Sequence, residues 1–243
     1  MKVYGLIGYP LTHSFSKKYF TEKFEQMGLT DCKYENFSIA SVNELKKILT
    51  DNPSIAGINV TIPHKESVTA LLTEKSDTVK KIGACNCIKI TGNTLSGFNT
   101  DVTGFEKTLF TKLKPHHNKA LILGTGGAAK AVEYVLNKSG IHFKYVSRNP
   151  LIHHFSYEQI TPEIIREYTL IINTTPLGMY PKIHQAPPIP YEALTPNHFL
   201  YDLIYNPAKT LFLEKGEQAG ADILNGSEML VIQAEESWKI WNS

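Results

Sequence analysis

Short apolar runs and helically spaced apolar residues take turns along the first third of the chain. Residues 3–8 (VYGLIG), 33–39 and 55–62 have strand length and β-branched or aromatic content, and the stretches 16–27 and 42–49 between them carry a helical period. That alternation predicts α/β organisation. After residue 86 the pattern changes: CIKI, the turn TGN and TLSGF predict a β-hairpin that delivers the chain to NTD and to a helix starting near Val102. A domain boundary is expected there, giving a first domain over 1–101 and a second over 102–226. From Ala120 a second series follows, with strands at ALIL, FKYV, LIIN, FLYDLI and ADIL, each leading into a turn or helical stretch. This reads as a doubly wound parallel sheet. The last helix, about 227–240, follows the end of that series. Its Trp238, Ile240 and Trp241 need an apolar partner, which the first domain can supply, so 227–243 is expected to complete that domain. The expected fold class is α/β: an N-terminal α/β domain with a mixed sheet, and a Rossmann-like doubly wound domain, with a cleft between them.

Composition narrows the function classes. Over 243 residues, 42% hydrophobic and 20% charged content is an ordinary globular balance. The 25 basic and 23 acidic residues are scattered, so no basic stripe marks a nucleic-acid or anionic-membrane surface, and a small-molecule substrate is the better expectation. No apolar run approaches the roughly 18 residues of a membrane span. The N-terminal run is broken by Pro10 too soon for a signal peptide, so a cytoplasmic protein is expected. Cys32, Cys85 and Cys87 are odd in number, and their spacing fits neither a disulfide framework nor a paired zinc motif; they read as small buried residues. The adjacent pairs His116–His117 and His153–His154 do not share a helix face, and no metal site is expected.

Two stretches carry chemistry. ALILGTGGAAKAVEYVL sets an apolar strand, then G-x-G-x-x-A at Gly124, Gly126 and Ala129, then a helix. Small residues there let backbone N–H groups and the helix's positive end approach a pyrophosphate. The next strand ends in KYVSRN. An acid at that place would accept from a ribose 2′-hydroxyl, whereas an arginine suits a 2′-phosphate. Arg148 is one of two arginines in the chain, so NADP is favoured over NAD; a solvated surface arginine is the alternative.

Hydride delivery to a carbonyl also requires a proton donor near the oxygen. Lys65 stands just past the 55–62 strand, and Pro63 suits the first turn of a helix over PHKESVTALL, which would set the lysine at the positive end of a helix dipole. Asp101, between hairpin and helix, can supply a carboxylate partner, although an acid before VTGF also has the form of a helix N-cap.

Beyond these residues, the chain resembles the shikimate dehydrogenase family of NADP-dependent enzymes. GYPLTHSFS, NVTIPHK, GACN, NTDVTGF, GTGGAAKA, NTTPLGM, YDLIYNP and NGSEMLVIQA stand in that family's order over nearly the whole length. The resemblance implies reversible reduction of 3-dehydroshikimate to shikimate in chorismate and aromatic amino-acid biosynthesis, with Lys65 and Asp101 as the catalytic pair. It implies Ser14, Ser16, Asn59, Thr61, Asn86, Tyr205 and Gln233 around the substrate. It places the cofactor against Gly124, Thr125, Gly126, Gly127, Ala128, Ser147, Arg148, Leu203 and Gly226. Singly, these have plainer readings: helix caps for the serines, a turn for Asn86, core for Tyr205, the wet side of a helix for Gln233.

No arginine precedes residue 148, so a substrate carboxylate would be met by hydroxyls such as Ser14 and Ser16. Thr125, Ser147 and the missing second basic residue after Arg148 depart from the family's usual pattern and leave cofactor discrimination open. So do two rivals: a quinate/shikimate dehydrogenase using NAD, and a non-catalytic sensor of nucleotide or ring acid. A monomer or homodimer is expected.

Overall fold

The computed structural model describes residues 1–11 and 15–243; Ser14, among the expected substrate residues, lies outside the described residues. The chain divides into two compact units, Met1–Thr100 with Ala234–Ser243, and Asp101–Gln233. Both divisions fall inside helices, after the first residue of Thr100–Leu109 and midway along Ser227–Trp241.

The first unit is built on a six-stranded sheet of β1 (Lys2–Gly8), β2 (Cys32–Ser38), β3 (Ile55–Val60), β4 (Glu74–Lys75), β5 (Cys87–Thr91) and β6 (Thr94–Phe98), in the order β2-β1-β3-β5-β6-β4. β5 runs antiparallel to both neighbours and the other pairs are parallel. The mixed sheet follows from the hairpin: Thr91 pairs with Thr94 across a turn that needs the left-handed Gly92, at φ 57°. Helices α1 (Phe15–Gln26), α2 (Leu45–Asp51) and α3 (Asp77–Ile82) complete the unit. The last is short but well bounded, with the Ser76 side chain accepting from the Val79 N–H and Gly83 closing it in the left-handed region.

One aromatic cluster explains the tryptophans at the C-terminus. Trp241 stacks on Tyr4 at 4.9 Å between centroids, donates its indole N–H to the Ile88 carbonyl at 3.0 Å, and lies so close to Gly57 that a Cβ there would sit 2.4 Å from the ring.

The helix expected over PHKESVTALL does not form. Residues 63–66 are turns, and only Ser67–Leu71 is helical, as a 3₁₀ segment. The Val68 N–H makes one i→i−4 bond, to the His64 carbonyl at 3.0 Å, but the Lys65 carbonyl is taken by the Cys85 N–H at 2.7 Å and the Thr69 N–H turns to Glu66, so the i→i−4 ladder does not continue. Lys65 therefore precedes a 3₁₀ turn, and the dipole expected behind it is absent.

The second unit holds α4 (Thr100–Leu109) beyond its first residue, then β7 (Lys119–Leu123), α5 (Gly127–Lys138), β8 (His142–Val146), α6 (Pro162–Glu167), β9 (Leu170–Asn173), β10 (Phe199–Asp202), α7 (Leu211–Gln218), β11 (Asp222–Leu224) and the first half of α8 (Ser227–Trp241). Its five strands are parallel in the order β11-β10-β9-β7-β8. Counted within the unit this is 2-1-3-4-5, a doubly wound sheet whose order reverses between β7 and β9. Leu121, Ile122, Ile171, Ile172 and Leu200 are wholly buried, as strands covered on both faces must be.

Candidate active site

In the first unit several of the expected site residues lie where β3 ends and β5 begins. Asn59 pairs with Cys87, and the Val60 N–H bonds the Asn86 carbonyl at 2.8 Å, so the antiparallel step at β5 brings the two asparagines to one edge. Both are buried.

Their side chains belong to one network. The Tyr34 hydroxyl donates to Asn59 Oδ1 at 2.9 Å, and Asn59 Nδ2 donates to the Asn86 carbonyl at 3.2 Å and to Ser237 Oγ at 2.9 Å. Ser237 and Thr100 hydroxyls meet at 3.3 Å. Asn86 Oδ1 accepts the Thr100 backbone N–H at 2.7 Å, and Asn86 Nδ2 donates to the Thr100 hydroxyl at 3.0 Å. Ser16, on α1, is buried near the Tyr34 hydroxyl and favours its ionised form. Burial pushes the Tyr34 phenol well above its usual range, which keeps it a donor. Thus Asn59, Asn86, Thr100 and Ser237, far apart in sequence, are joined.

Thr61 and Lys65 follow β3 and are half-buried. The bond from Cys85 N–H to the Lys65 carbonyl ties the lysine's backbone to the residue just before Asn86. Asp101 is buried and lies inside the first turn of α4, where the helix's partial positive charge favours an acid. It is not the N-cap.

In the second unit, β7 opens into the glycine loop at the sheet's reversal point. Gly124 adopts φ 102°, and a Cβ on it would lie 2.8 Å from the Thr174 hydroxyl, so the loop requires glycine. Gly126 is the N-cap of α5, Gly127 its first residue and Ala128 its second. Among the described residues no side chain caps that helix start, and a Cβ on Gly126 would meet nothing within 4 Å. Exposed Thr125 and Gly126 therefore leave an open cradle of backbone N–H groups, the donor set a pyrophosphate fits.

β8 ends at Val146, so Ser147 and Arg148 follow the strand directly. Ser147 Oγ accepts the Asn149 N–H at 3.2 Å and Arg148 is exposed. The buried Tyr157 hydroxyl lacks a hydrogen-bond partner among the described residues. An exposed guanidinium directly after the second strand suits a 2′-phosphate.

Asp202 fixes the loops after β9 and β10. Its carboxylate accepts from the Thr210 hydroxyl at 2.6 Å, the Ile204 N–H at 3.0 Å and Asn173 Nδ2 at 3.0 Å, while burial raises its pKa to about 6. Leu203 and half-buried Tyr205 lie on the loop so held. Gly226 packs on it, since a Cβ there would lie 2.2 Å from the Leu203 carbonyl oxygen. Gln233 is buried, not on a wet face, and donates to the Leu230 carbonyl at 3.0 Å.

Tyr34, Thr100 and Ser237 escaped the reading of the sequence. Tyr34 looks like strand core, but Ser237 stands one helical turn after Gln233 and could have been found by that i,i+4 spacing.

A doubly wound unit with a glycine cradle and an arginine after its second strand, joined in one chain to a unit with a buried polar cluster at its strand ends, defines a nucleotide-dependent oxidoreductase. Residues 6–88 match the family model described as the shikimate dehydrogenase substrate binding domain. A shikimate dehydrogenase (NADP(+)) of Clostridium beijerinckii is 38% identical, with 99% of this chain and 92% of that protein covered. The structure of a chorismate mutase/shikimate 5-dehydrogenase fusion protein from Clostridium acetobutylicum superimposes with a TM-score of 0.86 at 36% identity, covering 100% of this chain and 91% of that one. Shikimate 5-dehydrogenase from Thermus thermophilus in complex with NADP(H) and shikimate gives 0.87 at 29% identity, covering 99% and 93%. The chain belongs to the shikimate dehydrogenase family.

Proposed function

We propose that this chain is an NADP-dependent oxidoreductase that reversibly reduces 3-dehydroshikimate to shikimate, within the synthesis of chorismate and the aromatic amino acids. The observation that carries this reading is the buried network joining Asn59 and Asn86 at one sheet edge. It gives a ring polyol a rigid polar floor made only of neutral groups. The first unit is read as the substrate domain and the second as the NADP domain. Bound NADPH supplies the hydride for the C3 carbonyl carbon. Lys65 gives a proton to the carbonyl oxygen as it becomes a hydroxyl and takes it back in the oxidative direction, with Asp101 as the carboxylate that works with it.

Ser14 and Ser16 meet the ring carboxylate, and Thr61, Asn86, Tyr205 and Gln233 meet the hydroxyls. Backbone N–H groups of Gly124 to Ala128 hold the pyrophosphate. Ser147 and Arg148 hold the 2′-phosphate, and Leu203 and Gly226 shape the nicotinamide end. A cytoplasmic enzyme, as monomer or homodimer, fits this role; among the described residues no helix is long and apolar enough to cross a membrane. Initial rates at 340 nm with shikimate or quinate and NADP or NAD test the reading. Fastest turnover is expected with shikimate and NADP; dominant quinate or NAD turnover defines the broader rival enzyme, and no absorbance change with any pair refutes catalysis.

A further inference from the structure

Asn59 was placed among the substrate contacts by its position in NVTIPHK, yet its amide has no proton left to give a ligand. Both Nδ2 protons are spent inside the protein, on the Asn86 carbonyl at 3.2 Å and on Ser237 Oγ at 2.9 Å. Nor can the amide turn over. A flipped Asn59 would aim its oxygen at the Asn86 carbonyl oxygen, acceptor against acceptor. Asn86 differs in one proton. Its Oδ1 is held by the Thr100 N–H at 2.7 Å and one Nδ2 proton goes to the Thr100 hydroxyl at 3.0 Å, so the second remains for a ligand.

The contacts close a ring: Asn59 to Ser237, Ser237 to Thr100 at 3.3 Å, Thr100 to the Asn86 side chain, and the Asn86 carbonyl back to Asn59. Ser237 and Thr100 are almost wholly buried, so water cannot replace a missing member.

We propose, resting on the functional reading above, that Asn59, Thr100 and Ser237 are positioning residues whose closed ring aims the one unspent Asn86 proton at a substrate ring hydroxyl, Ser237 being the member that closes it. Ser237 comes from the last helix and sits in no motif that contacts substrate. It holds Asn59 as acceptor and fixes the Thr100 hydroxyl, on which the Asn86 amide rests. Thr100 immediately precedes Asp101, so the same ring also anchors the start of α4.

Steady-state kinetics of Ser237→Ala, Asn86→Ala and the double variant test this, with folding checked by each variant's melting temperature. For Ser237→Ala the KM for shikimate should rise about 3- to 10-fold, the loss of one net hydrogen bond, with kcat and the KM for NADP within about twofold. In the Asn86→Ala background the same change should add less than about twofold, because its route to the substrate is already gone. Equal effects in both backgrounds, or a rise in both KM values together, would overturn the proposal. A reading independent of turnover is hydrogen exchange of the Asn59 side-chain amide by NMR, which should quicken in Ser237→Ala. Unchanged exchange overturns the positioning claim, whereas a wild-type protein that does not oxidise shikimate overturns only the functional reading.

Discussion

The two places at which this chain is proposed to meet small molecules are built from opposite materials. At the β3–β5 edge the polar atoms belong to side chains, nearly all buried and bonded to one another, and the backbone serves to bring Asn59 and Asn86 into register. At the β7–α5 turn side chains are almost absent, and the donors are backbone N–H groups left open by Gly124, Gly126 and Gly127. A ring with several hydroxyls must be read atom by atom, which fixed side-chain amides can do. A pyrophosphate presents diffuse negative charge, which a helix start satisfies without any particular side chain. Damage should therefore differ in kind: loss of a bond at the first edge, loss of shape at the second.

The largest effect is expected at Lys65, the residue proposed to carry the proton. Lys65→Ala should lower kcat by about 10²- to 10⁴-fold while the KM for shikimate moves little; comparable losses in both would make the lysine a binding residue. Next comes shape. Gly124→Ala forces a side chain into φ 102° against the Thr174 hydroxyl, a strain of about 1–3 kcal/mol. The KM for NADP should rise roughly tenfold or more while that for shikimate stays put, and an unchanged value would mean the loop does not carry the cofactor. Arg148→Leu should act on discrimination alone, cutting the NADP-over-NAD preference by about 10-fold or more.

The smallest effect sharpens the contrast through stability. Asp202 accepts the hydrogen bonds that hold the loops after β9 and β10, and burial raises its pKa from 3.8 to about 6. The native state thus binds this proton more tightly than the unfolded chain. Its favourable contribution is complete below pH 3.8 and is lost as pH rises through about 6, a change on the order of 1–3 kcal/mol. Asp202→Asn keeps the shape and removes the titration, so the difference in melting temperature between variant and wild type should grow in the variant's favour from pH 4 to pH 7. His117 runs the other way: burial lowers its pKa, so stability is lost as pH falls below about 6.5, equally in both proteins.

Much of this contrast was legible in residues alone, for reasons that differ between the ends. The glycine loop is a local motif, strand then cradle then helix, and its chemistry resides in the backbone that the glycines dictate. The β3–β5 edge is not local. Asn59, Asn86, Thr100 and Ser237 become neighbours only because β5 turns antiparallel and α8 returns to the first unit, so motif order could nominate Asn59 and Asn86 but could not show that Asn59's protons are already spent. The helix expected after Pro63 failed because a distant residue, Cys85, takes the Lys65 carbonyl, and propensity carries no knowledge of that partner. The reading of Asp101 as an N-cap failed by one residue, since α4 begins at Thr100, whose N–H is met by the side chain of Asn86.

The most direct test of separate construction is calorimetric titration of shikimate and of NADP into Asn86→Ala and Gly124→Ala, each well below its unfolding temperature. Asn86→Ala should weaken shikimate roughly tenfold or more and leave NADP unchanged, and Gly124→Ala should do the reverse. If either variant weakens both ligands alike, the two ends are not independent recognition sites, and the division of labour described for them is wrong.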